Sequence, residues 1–218
     1  MPTIAEYGSW SSPITAEAVT AAQVGLIQPS LDRGVAYWLE ARPEEGGRAA
    51  LMRRPADGEA AEVTQASFNV RTRVHEYGGG AYAVKDGVIV AVDFLDQRVH
   101  RLTPGRPSHA LTPESEARLR YADFELDLPR GSMLAVREDH RASGEPINAI
   151  VALGLERAGD AGTVLAEGHG FVSSPRLSPD GRKLAWLAWD HPNMPWDGTR
   201  LYLAELDAEG RPGAVREV

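Results

Sequence analysis

The sequence repeats itself with a period of about fifty residues, and this period limits the available folds more than any other feature. The segment Pro29–Leu39 aligns with Pro175–Leu187, and each continues through a glycine-bearing loop into a second apolar segment. Two more divergent copies lie between them. Measured between turn glycines, neighbouring copies are 44 to 53 residues apart; these glycines are Gly34, Gly87, Gly131 and Gly181. Periods of this size are typical of solenoids and propellers.

The pattern inside each copy indicates β-strands rather than helices, because no 3.6-residue periodicity is present. Asp86-Gly87 and Asp180-Gly181 are hairpin signals. The strands that follow, Val88–Val92 and Leu184–Trp189, are apolar at consecutive positions. A strand with one face in water alternates apolar and polar residues, so both faces of these strands must be covered. Antiparallel sheets stacked face to face around an axis, the blades of a β-propeller, meet that requirement.

We therefore predict an all-β chain of about four four-stranded antiparallel blades. Their expected bounds are about 24–66, 67–112, 113–166 and 167–218. The preceding segment, residues 1–23, is expected to contain a short helix from Thr15 to Ala22, with Thr15 as the cap. Four blades that do not close leave apolar sheet faces uncovered, and the chain stops directly after the strand-like Ala214–Val218. We expect an arc of a larger ring.

The charge and the cysteine content exclude several classes of protein. The chain has 31 acidic and 23 basic side chains, a formal charge of −8, which argues against non-specific binding to nucleic acid. It has no cysteine, which excludes disulfide scaffolds, cysteine nucleophiles and thiolate metal sites. No apolar run approaches the ~20 residues of a membrane helix, and no signal peptide is evident. We expect a cytoplasmic protein without membrane, metal or cofactor partners.

Two longer strings, Phe68–Gly80 and Leu187–Thr199, are distinctive. Together with the opening Tyr7–Thr15 and the turn Ser178–Gly181, they resemble the N-terminal propeller of prolyl oligopeptidase family peptidases, in the acylaminoacyl and dipeptidyl peptidase branch. The resemblance covers essentially the whole chain. In that family a propeller of seven or eight blades precedes an α/β-hydrolase domain with a Ser-Asp-His triad.

The resemblance implies that the propeller gates the access of short peptides to a C-terminal hydrolase domain, which is missing from this chain. The partners it implies are a peptide substrate and that domain. No Gly-x-Ser-x-Gly nucleophile elbow occurs in the sequence, and the alternating strands and helices of a hydrolase domain are absent. We therefore predict a serine peptidase as the parent protein and no catalytic residue, and no activity, in this chain alone.

Antiparallel topology places three unusual loops on one rim. If strands A to D of a blade alternate in direction, the D-to-A and B-to-C connections lie on the same face. The arm, Val70–Gly80, is a D-to-A connection; the proline loop, Asp190–Gly198, and the blade 3 loop, Asp139–Glu145, are B-to-C connections. Binding residues favour loops held by a rigid scaffold. We predict that this rim faces the substrate.

The arm contributes five candidate substrate-binding residues, Arg71, Arg73, His75, Glu76 and Tyr77. A carboxylate such as Glu76 can hold the amino terminus of a peptide, and an arginine can hold a carbonyl or carboxylate group. The alternative is structural: Arg73 pairs with Glu76, and the three glycines let the chain turn into the next blade. Zinc binding by His75 is not favoured, because no second histidine follows four positions later.

The proline loop contributes four further candidates, Asp190, His191, Asn193 and Trp196. Its aromatic residues either line the substrate cavity or contact the hydrolase domain. Alternatively, Pro192 and Pro195 rigidify the loop and its tryptophans fill the space between blades. Asp139–Arg141 is a third possible contributor to the rim, although such a charge run is typical of a solvated loop.

Two other functions stay open on the sequence alone. A stand-alone TolB-like propeller would bind a protein or peptide partner without catalysis. The reading frame beyond Val218 discriminates this binding module from the peptidase. Further blades followed by Gly-x-Ser-x-Gly favour the peptidase, and a stop codon favours the binding module. A propeller glycosidase would need paired carboxylates across a pocket, which sequence spacing does not test.

Overall fold

The computed structural model describes residues 4–20, 23–156 and 158–218. Its strands form four antiparallel four-stranded sheets, which confirms the predicted all-β fold class. In these ranges one α-helix is present, α1 (Ala16–Thr20), and the Thr15 hydroxyl accepts a hydrogen bond of 3.0 Å from the Ala18 N–H as its cap. Ala21 and Ala22, also assigned to the helix from sequence, lie outside the described residues. No described helix is long and apolar enough to cross a membrane.

The four sheets, named blades 1 to 4, follow one another along the chain. Blade 1 contains β1 (Gly25–Asp32), β2 (Val35–Arg42), β3 (Arg48–Pro55) and β4 (Ala61–Glu62). Blade 2 contains β5 (Tyr82–Lys85), β6 (Val88–Val92), β7 (Val99–Leu102) and β8 (His109–Ala110). Blade 3 contains β9 (Leu119–Asp127), β10 (Ser132–Asp139), β11 (Ile147–Gly154) and β12 (Thr163–Glu167). Blade 4 contains β13 (Phe171–Leu177), β14 (Lys183–Trp189), β15 (Arg200–Leu206) and β16 (Pro212–Glu217). Within each blade the spatial order of the strands equals their chain order.

The hydrophobic core lies between the blades, and the second strand of a blade serves two core layers at once. On β6, Ile89 packs with blade 1 residues, whereas its neighbour Val90 packs with blade 3 residues. On β10, Met133 faces blade 2 and Leu134 faces blade 4. All four side chains are at least 95% buried. The consecutive apolar pattern therefore arises because each of these strands has a covered sheet on both sides.

A β-bulge recurs in the first strand of blades 1, 3 and 4. It places Gln28, Asp123 and Ser174 in the left-handed region, with φ of 51°, 55° and 53°. The carboxylate of Asp123 accepts the Gly80 N–H at 2.6 Å and the Ser174 N–H at 3.0 Å. This one side chain thus connects blade 3 to the segment entering blade 2 and to blade 4. The bulges act as contacts between blades as well as local irregularities of a strand.

Candidate functional site

The arm begins as an extended link between blades 1 and 2. The Val70 N–H donates to the Ala49 carbonyl of blade 1 at 2.9 Å, and the Arg71 N–H donates to the Val92 carbonyl of blade 2 at 3.3 Å. The arm then crosses to blade 3, where the Thr72 hydroxyl donates to the Tyr121 carbonyl at 2.7 Å. Residues Val70 to Thr72 therefore connect the arm to three blades, ahead of the turn that contains His75 and Glu76.

A buried carboxylate fixes the middle of the arm on blade 3. Glu138, at the end of β10, has only 3% of its side chain exposed. One of its oxygens accepts the His75 N–H at 2.7 Å, and the other lies 3.0 Å from His140 Nε2. Arg120 Nη1 is 3.7 Å from the same carboxylate. These polar partners compensate the cost of burying the charge of Glu138.

Glu76 pairs with blade 3 and not with its neighbour on the arm. Its carboxylate lies 2.5 Å from Arg120 Nη1, which also donates to the Arg73 carbonyl at 3.2 Å. The hydrogen bond from Arg120 lowers the pKa of Glu76, so this carboxylate stays ionised at neutral pH. The alternative that paired Arg73 with Glu76 is wrong, because the basic partner of Glu76 is Arg120. The Glu76 side chain remains 77% exposed, so it still faces the solvent on the rim.

The imidazole of His75 lies among aromatic rings of blade 4. Its centroid is 5.3 Å from the Trp189 ring and 5.5 Å from the Phe171 ring, in edge-to-face arrangements. Burial lowers the pKa of His75, against the opposing influence of the Glu138 and Asp123 carboxylates. His75 is therefore neutral at pH 7. Its Nε2 is buried, and no described residue is its hydrogen-bond partner. With His75, the arm contacts all four blades.

Arg71 and Arg73 both lie against Phe94, in the loop between β6 and β7. The guanidinium carbons are 5.0 and 4.5 Å from the centroid of that ring, within the range of cation–π attraction. Tyr77 completes the arm candidates: its ring is 63% exposed and lies 5.7 Å from that of His75. The arm candidates therefore divide among three blades: the two arginines face blade 2, Glu76 faces blade 3 and His75 faces blade 4.

The three glycines at the end of the arm do different things. Gly78 has a φ of +90°, as expected for a residue that turns the chain. Gly79 and Gly80 instead allow close approach, because a Cβ at either position would lie 3.0 to 3.1 Å from the Asp123 carboxylate. The turning role predicted for all three therefore applies to Gly78, and blade-to-blade packing explains the other two.

The proline loop is held mainly by contacts within itself and with the adjacent β12–β13 turn. The Asp190 carboxylate accepts the Gly170 N–H at 2.6 Å and lies 2.9 Å from His169 Nδ1. These two hydrogen bonds lower the pKa of Asp190. The Asn193 N–H donates to the Asp190 carbonyl at 3.0 Å, and its side chain packs against Gly198.

The two tryptophans of this region have opposite environments. Trp189 is buried and stacks on Phe171, with centroids 5.3 Å apart and an interplanar angle of 10°. Trp196 is 76% exposed. His191 lies at the base of the loop with its ring 5.0 Å from that of Phe171. Trp189 thus fills space inside the blade region, and Trp196 projects from the rim.

The blade 3 loop contributes through His140, which faces Glu138. Its neighbours Asp139 and Arg141 form an ion pair of 2.6 Å with each other. The structure therefore gathers the arm, the start of the blade 3 loop and the start of the proline loop around Glu138, His75 and Trp189. It does not bring Asn193 into this group, since the described contacts of Asn193 stay inside its own loop.

Sequence reasoning missed three residues of the rim, Phe94, Arg120 and Glu138. Phe94 lies in a B-to-C loop, so the same topological argument that placed the proline loop on the rim places it there too. Glu138 follows the apolar run Met133–Val136, and a carboxylate in a strand covered on both faces needs a buried partner. Among the described residues, no group of three or more histidine, aspartate or glutamate side chains is arranged to hold a metal ion.

Comparison with solved structures gives two strong relatives. Puromycin hydrolase is 37% identical with a TM-score of 0.87, and the match covers 99% of this chain and 35% of that protein. A puromycin-hydrolyzing peptidase of Mycobacterium tuberculosis is 39% identical with a TM-score of 0.85, over 99% of this chain and 35% of that one. The chain therefore spans about a third of the length of both structures.

More distant structures share the fold alone. TolB of Acinetobacter baumannii is 13% identical with a TM-score of 0.58, over 89% of this chain and 43% of that one. The acylaminoacyl peptidase of Pyrococcus horikoshii is 11% identical with a TM-score of 0.57, over 89% and 32%. No family model matches the chain, and no curated protein sequence matches it.

Proposed function

We propose that this chain is a β-propeller segment of a prolyl oligopeptidase family protein and that it supplies the substrate-facing rim of a serine peptidase. The acyl transfer itself is assigned to an α/β-hydrolase domain that the 218 residues do not contain. The match to puromycin hydrolase over nearly the whole chain is the observation that carries this proposal. In a cytoplasmic enzyme of this kind the propeller admits short peptides and excludes folded chains.

The geometry of the rim supports a role in holding peptides. Glu76 is ionised, largely exposed and fixed by Arg120, so one carboxylate oxygen is available to accept hydrogen bonds from the ammonium group of a peptide. Tyr77 and Trp196 offer exposed aromatic surface on the same face. A fixed charge beside aromatic surface is a common arrangement for binding small organic ligands.

The assignment of chemistry to another domain is tested with this chain alone. Incubation with puromycin and with aminoacyl chromogenic substrates is expected to give no turnover above the rate of the buffer. Turnover that a serine-directed inhibitor abolishes would overturn the assignment, because it would require a nucleophilic serine within these residues.

The role of the rim is tested in the enzyme that the reading frame encodes. Glu76→Gln is expected to raise KM for short peptides about tenfold with kcat little changed, because it removes a charge-assisted contact made equally in ground and transition states. Arg211→Gln, which changes an exposed residue on the β15–β16 turn, is the control. An unchanged KM in the Glu76 variant would contradict the proposed contact.

A stand-alone binding propeller is the second candidate, and the TolB structures support it at the level of the fold alone. The reading frame beyond Val218 separates the two. Further blades followed by a Gly-x-Ser-x-Gly elbow support the peptidase. A stop codon directly after Val218 contradicts it and favours the binding module.

A further inference from the structure

Arg71, Arg73 and Phe94 form a distinct unit at the start of the arm, here called the Phe94 clamp. The two arginines are two positions apart in an extended segment, so their side chains leave the backbone on the same side. Both guanidinium groups lie within 5.0 Å of the centroid of the Phe94 ring. The attraction of both guanidinium groups to the Phe94 ring therefore offsets part of their mutual repulsion.

The backbone under the clamp is fixed by a single buried glutamine. Gln97 is fully buried, and its side-chain oxygen accepts the Arg73 N–H at 2.7 Å. Its amide nitrogen donates to the Phe94 carbonyl at 2.9 Å. The arm and the β6–β7 loop are thus tied together at the positions that carry the clamp, so its two halves keep their relative position without a ligand.

In the part of the chain that the structure describes, the guanidinium groups of the clamp belong to no ion pair, although Arg73 acts electrostatically on Glu76 from a longer distance. Among the described residues, no carboxylate lies within 4.0 Å of either guanidinium, and neither group makes a hydrogen bond. Other arginines of the rim are paired, Arg120 with Glu76 and Arg141 with Asp139. The two acids that flank Phe94 are engaged elsewhere, since Asp93 accepts the Asn69 N–H and Asp96 lies 3.3 Å from His100.

Two adjacent arginines without an ion pair are unexpected in a chain with eight more acidic than basic side chains. A guanidinium stacked on an aromatic ring keeps the N–H groups of its edge free, and those groups match the oxygens of a carboxylate or phosphate. Because the stacking already restricts the side chains, little conformational entropy is lost when an anion binds. The clamp therefore has the chemistry and the rigidity of an anion subsite.

The position of the clamp selects a peptide as the source of that anion. Arg73 and Glu76 are three positions apart, and the Glu76 N–H donates to the Arg73 carbonyl at 2.9 Å, so the chain turns between them and their Cα atoms lie less than about 7 Å apart. From this turn the Arg73 side chain extends to Phe94 in blade 2, and the Glu76 side chain extends to Arg120 in blade 3. An anion site and an exposed carboxylate that diverge from one turn can take the two charged ends of a short peptide.

We propose that the Phe94 clamp binds the terminal carboxylate of a short peptide whose amino end lies toward Glu76. This inference rests on the proposed function of the rim and specifies its substrates as short peptides with a free C-terminus. Peptides blocked at that end lose the contact with the clamp.

The test measures Kd for this chain with tetra-alanine as the free acid and as its C-terminal amide. The acid is expected to bind about tenfold more tightly, because the amide does not offer the paired oxygens that two guanidinium groups recognise. The double variant Arg71→Gln, Arg73→Gln is expected to abolish this preference. Phe94→Leu is expected to reduce it about threefold, because it removes the ring but keeps an apolar side chain.

The double variant Arg106→Gln, Arg182→Gln is the matched control, since both are exposed arginines in turns between strands and their loss removes the same two positive charges. It is expected to keep the preference for the acid. Equal binding of acid and amide, or an unchanged preference in the double variant, overturns the clamp. Inorganic phosphate that binds as tightly as the peptide acid also overturns it, because the site would then recognise anions in general.

The same measurements separate the clamp from the proposed function. If Glu76→Gln weakens the acid and the amide equally and the two bind alike, the rim binds peptides but the clamp does not. If the acid is preferred through Arg71 and Arg73 while the encoded full protein cleaves no peptide, the clamp stands and the peptidase function falls. If neither peptide binds, both are overturned.

Discussion

The arm and the proline loop lie on the same rim and carry equally distinctive sequence motifs, but they are held in different ways. The arm takes its partners from distant strands: His75 binds Glu138, 63 residues away, and Glu76 binds Arg120, 44 residues away. The proline loop takes its partners from the adjacent β12–β13 turn and from itself, as when the Met194 N–H donates to Asp197 three residues later.

Two motifs on one face can therefore have separate physical roles. The arm joins blades, so its residues contribute to the stability of all four blades as well as to the rim. The proline loop closes on itself and presents Trp196 to the solvent, so its residues are freer to vary without loss of folding. Changes in the arm are expected to destabilise the protein more than matched changes in the loop.

The largest effect is expected from Glu138→Ala, which removes the carboxylate under the arm. The loss leaves the His75 N–H without its acceptor and Arg120 with one carboxylate fewer, at a cost of about 3 kcal/mol in the free energy of unfolding. Asp197→Ala, which removes an exposed cap of the proline loop, is expected to cost about 1 kcal/mol or less. Urea unfolding measures both, and equal losses would contradict the distinction between the two regions.

A smaller difference in stability between the two regions is expected when one glycine in each is replaced by alanine. In Gly79→Ala the new Cβ lies 3.0 Å from the Ala122 Cβ and from an Asp123 oxygen, which is itself held by the Gly80 N–H. We expect a loss of about 2 kcal/mol, because neither neighbour is free to move. In Gly198→Ala the Cβ meets only the exposed Asn193 amide at 3.0 Å, which can rotate away.

Thermal unfolding at one pH ranks these two variants. A melting temperature lowered as much by Gly198→Ala as by Gly79→Ala would show that the proline loop is as tightly packed as the arm. Wild-type behaviour of Gly79→Ala would contradict the close approach of the arm to blade 3.

The arm is also expected to make stability depend on pH below neutrality. Burial lowers the pKa of His75 from its ordinary value of 6.5, so the unfolded chain binds a proton more readily than the folded one. The stabilisation is complete above pH 6.5 and is lost as the pH falls below it toward the folded pKa. Replacing the imidazole, as in His75→Phe, is expected to flatten this part of the profile, which chemical unfolding at several pH values measures.

His191→Gln on the exposed proline loop is the control for that profile, and it is expected to keep the wild-type dependence. A His75 variant whose stability still falls between pH 6.5 and 5.5 like that of the wild type would assign the dependence to another group.

The smallest effects are expected from Glu76→Gln and Trp196→Ala. The Glu76–Arg120 pair is largely exposed on the glutamate side, so its loss is expected to cost about 0.5 to 1 kcal/mol at low salt and less at high salt. Trp196→Ala is expected to change stability by about 0.5 kcal/mol or less, since the side chain is mostly in solvent. A large loss in the tryptophan variant would mean that Trp196 packs on the protein.

The fold could be predicted because its signals are local. Consecutive apolar residues such as Ile89 and Val90, each facing a different blade, state directly that a strand is covered on both sides. Turn glycines mark the ends of such strands. The internal hydrogen bonds of the proline loop are likewise local, and its prolines and aspartates indicate a rigid loop.

The partners of the arm could not be predicted, because they depend on which strands lie beside it in space. Arg73 and Glu76 are only three positions apart, so the sequence suggests that they form an ion pair. Arg120 on β9 is the residue that pairs with Glu76. Only a packing arrangement of four blades brings β9, β10 and β13 to the same place. The physical reason is that a connection spanning several blades meets residues separated from it by whole repeats.

The bulge at Asp123 has a consequence for the ancestry and engineering of such repeats. Its carboxylate is shared between the backbone N–H groups of Gly80 and Ser174, so each unit carries part of its neighbours' hydrogen bonding. If blade 3 were duplicated or moved without its neighbours, the Asp123 carboxylate would lose the hydrogen bond from the Gly80 N–H. Exchange of blades between related proteins is therefore expected to preserve folding when Asp123 is transferred together with Gly80 and Ser174, which donate hydrogen bonds to it.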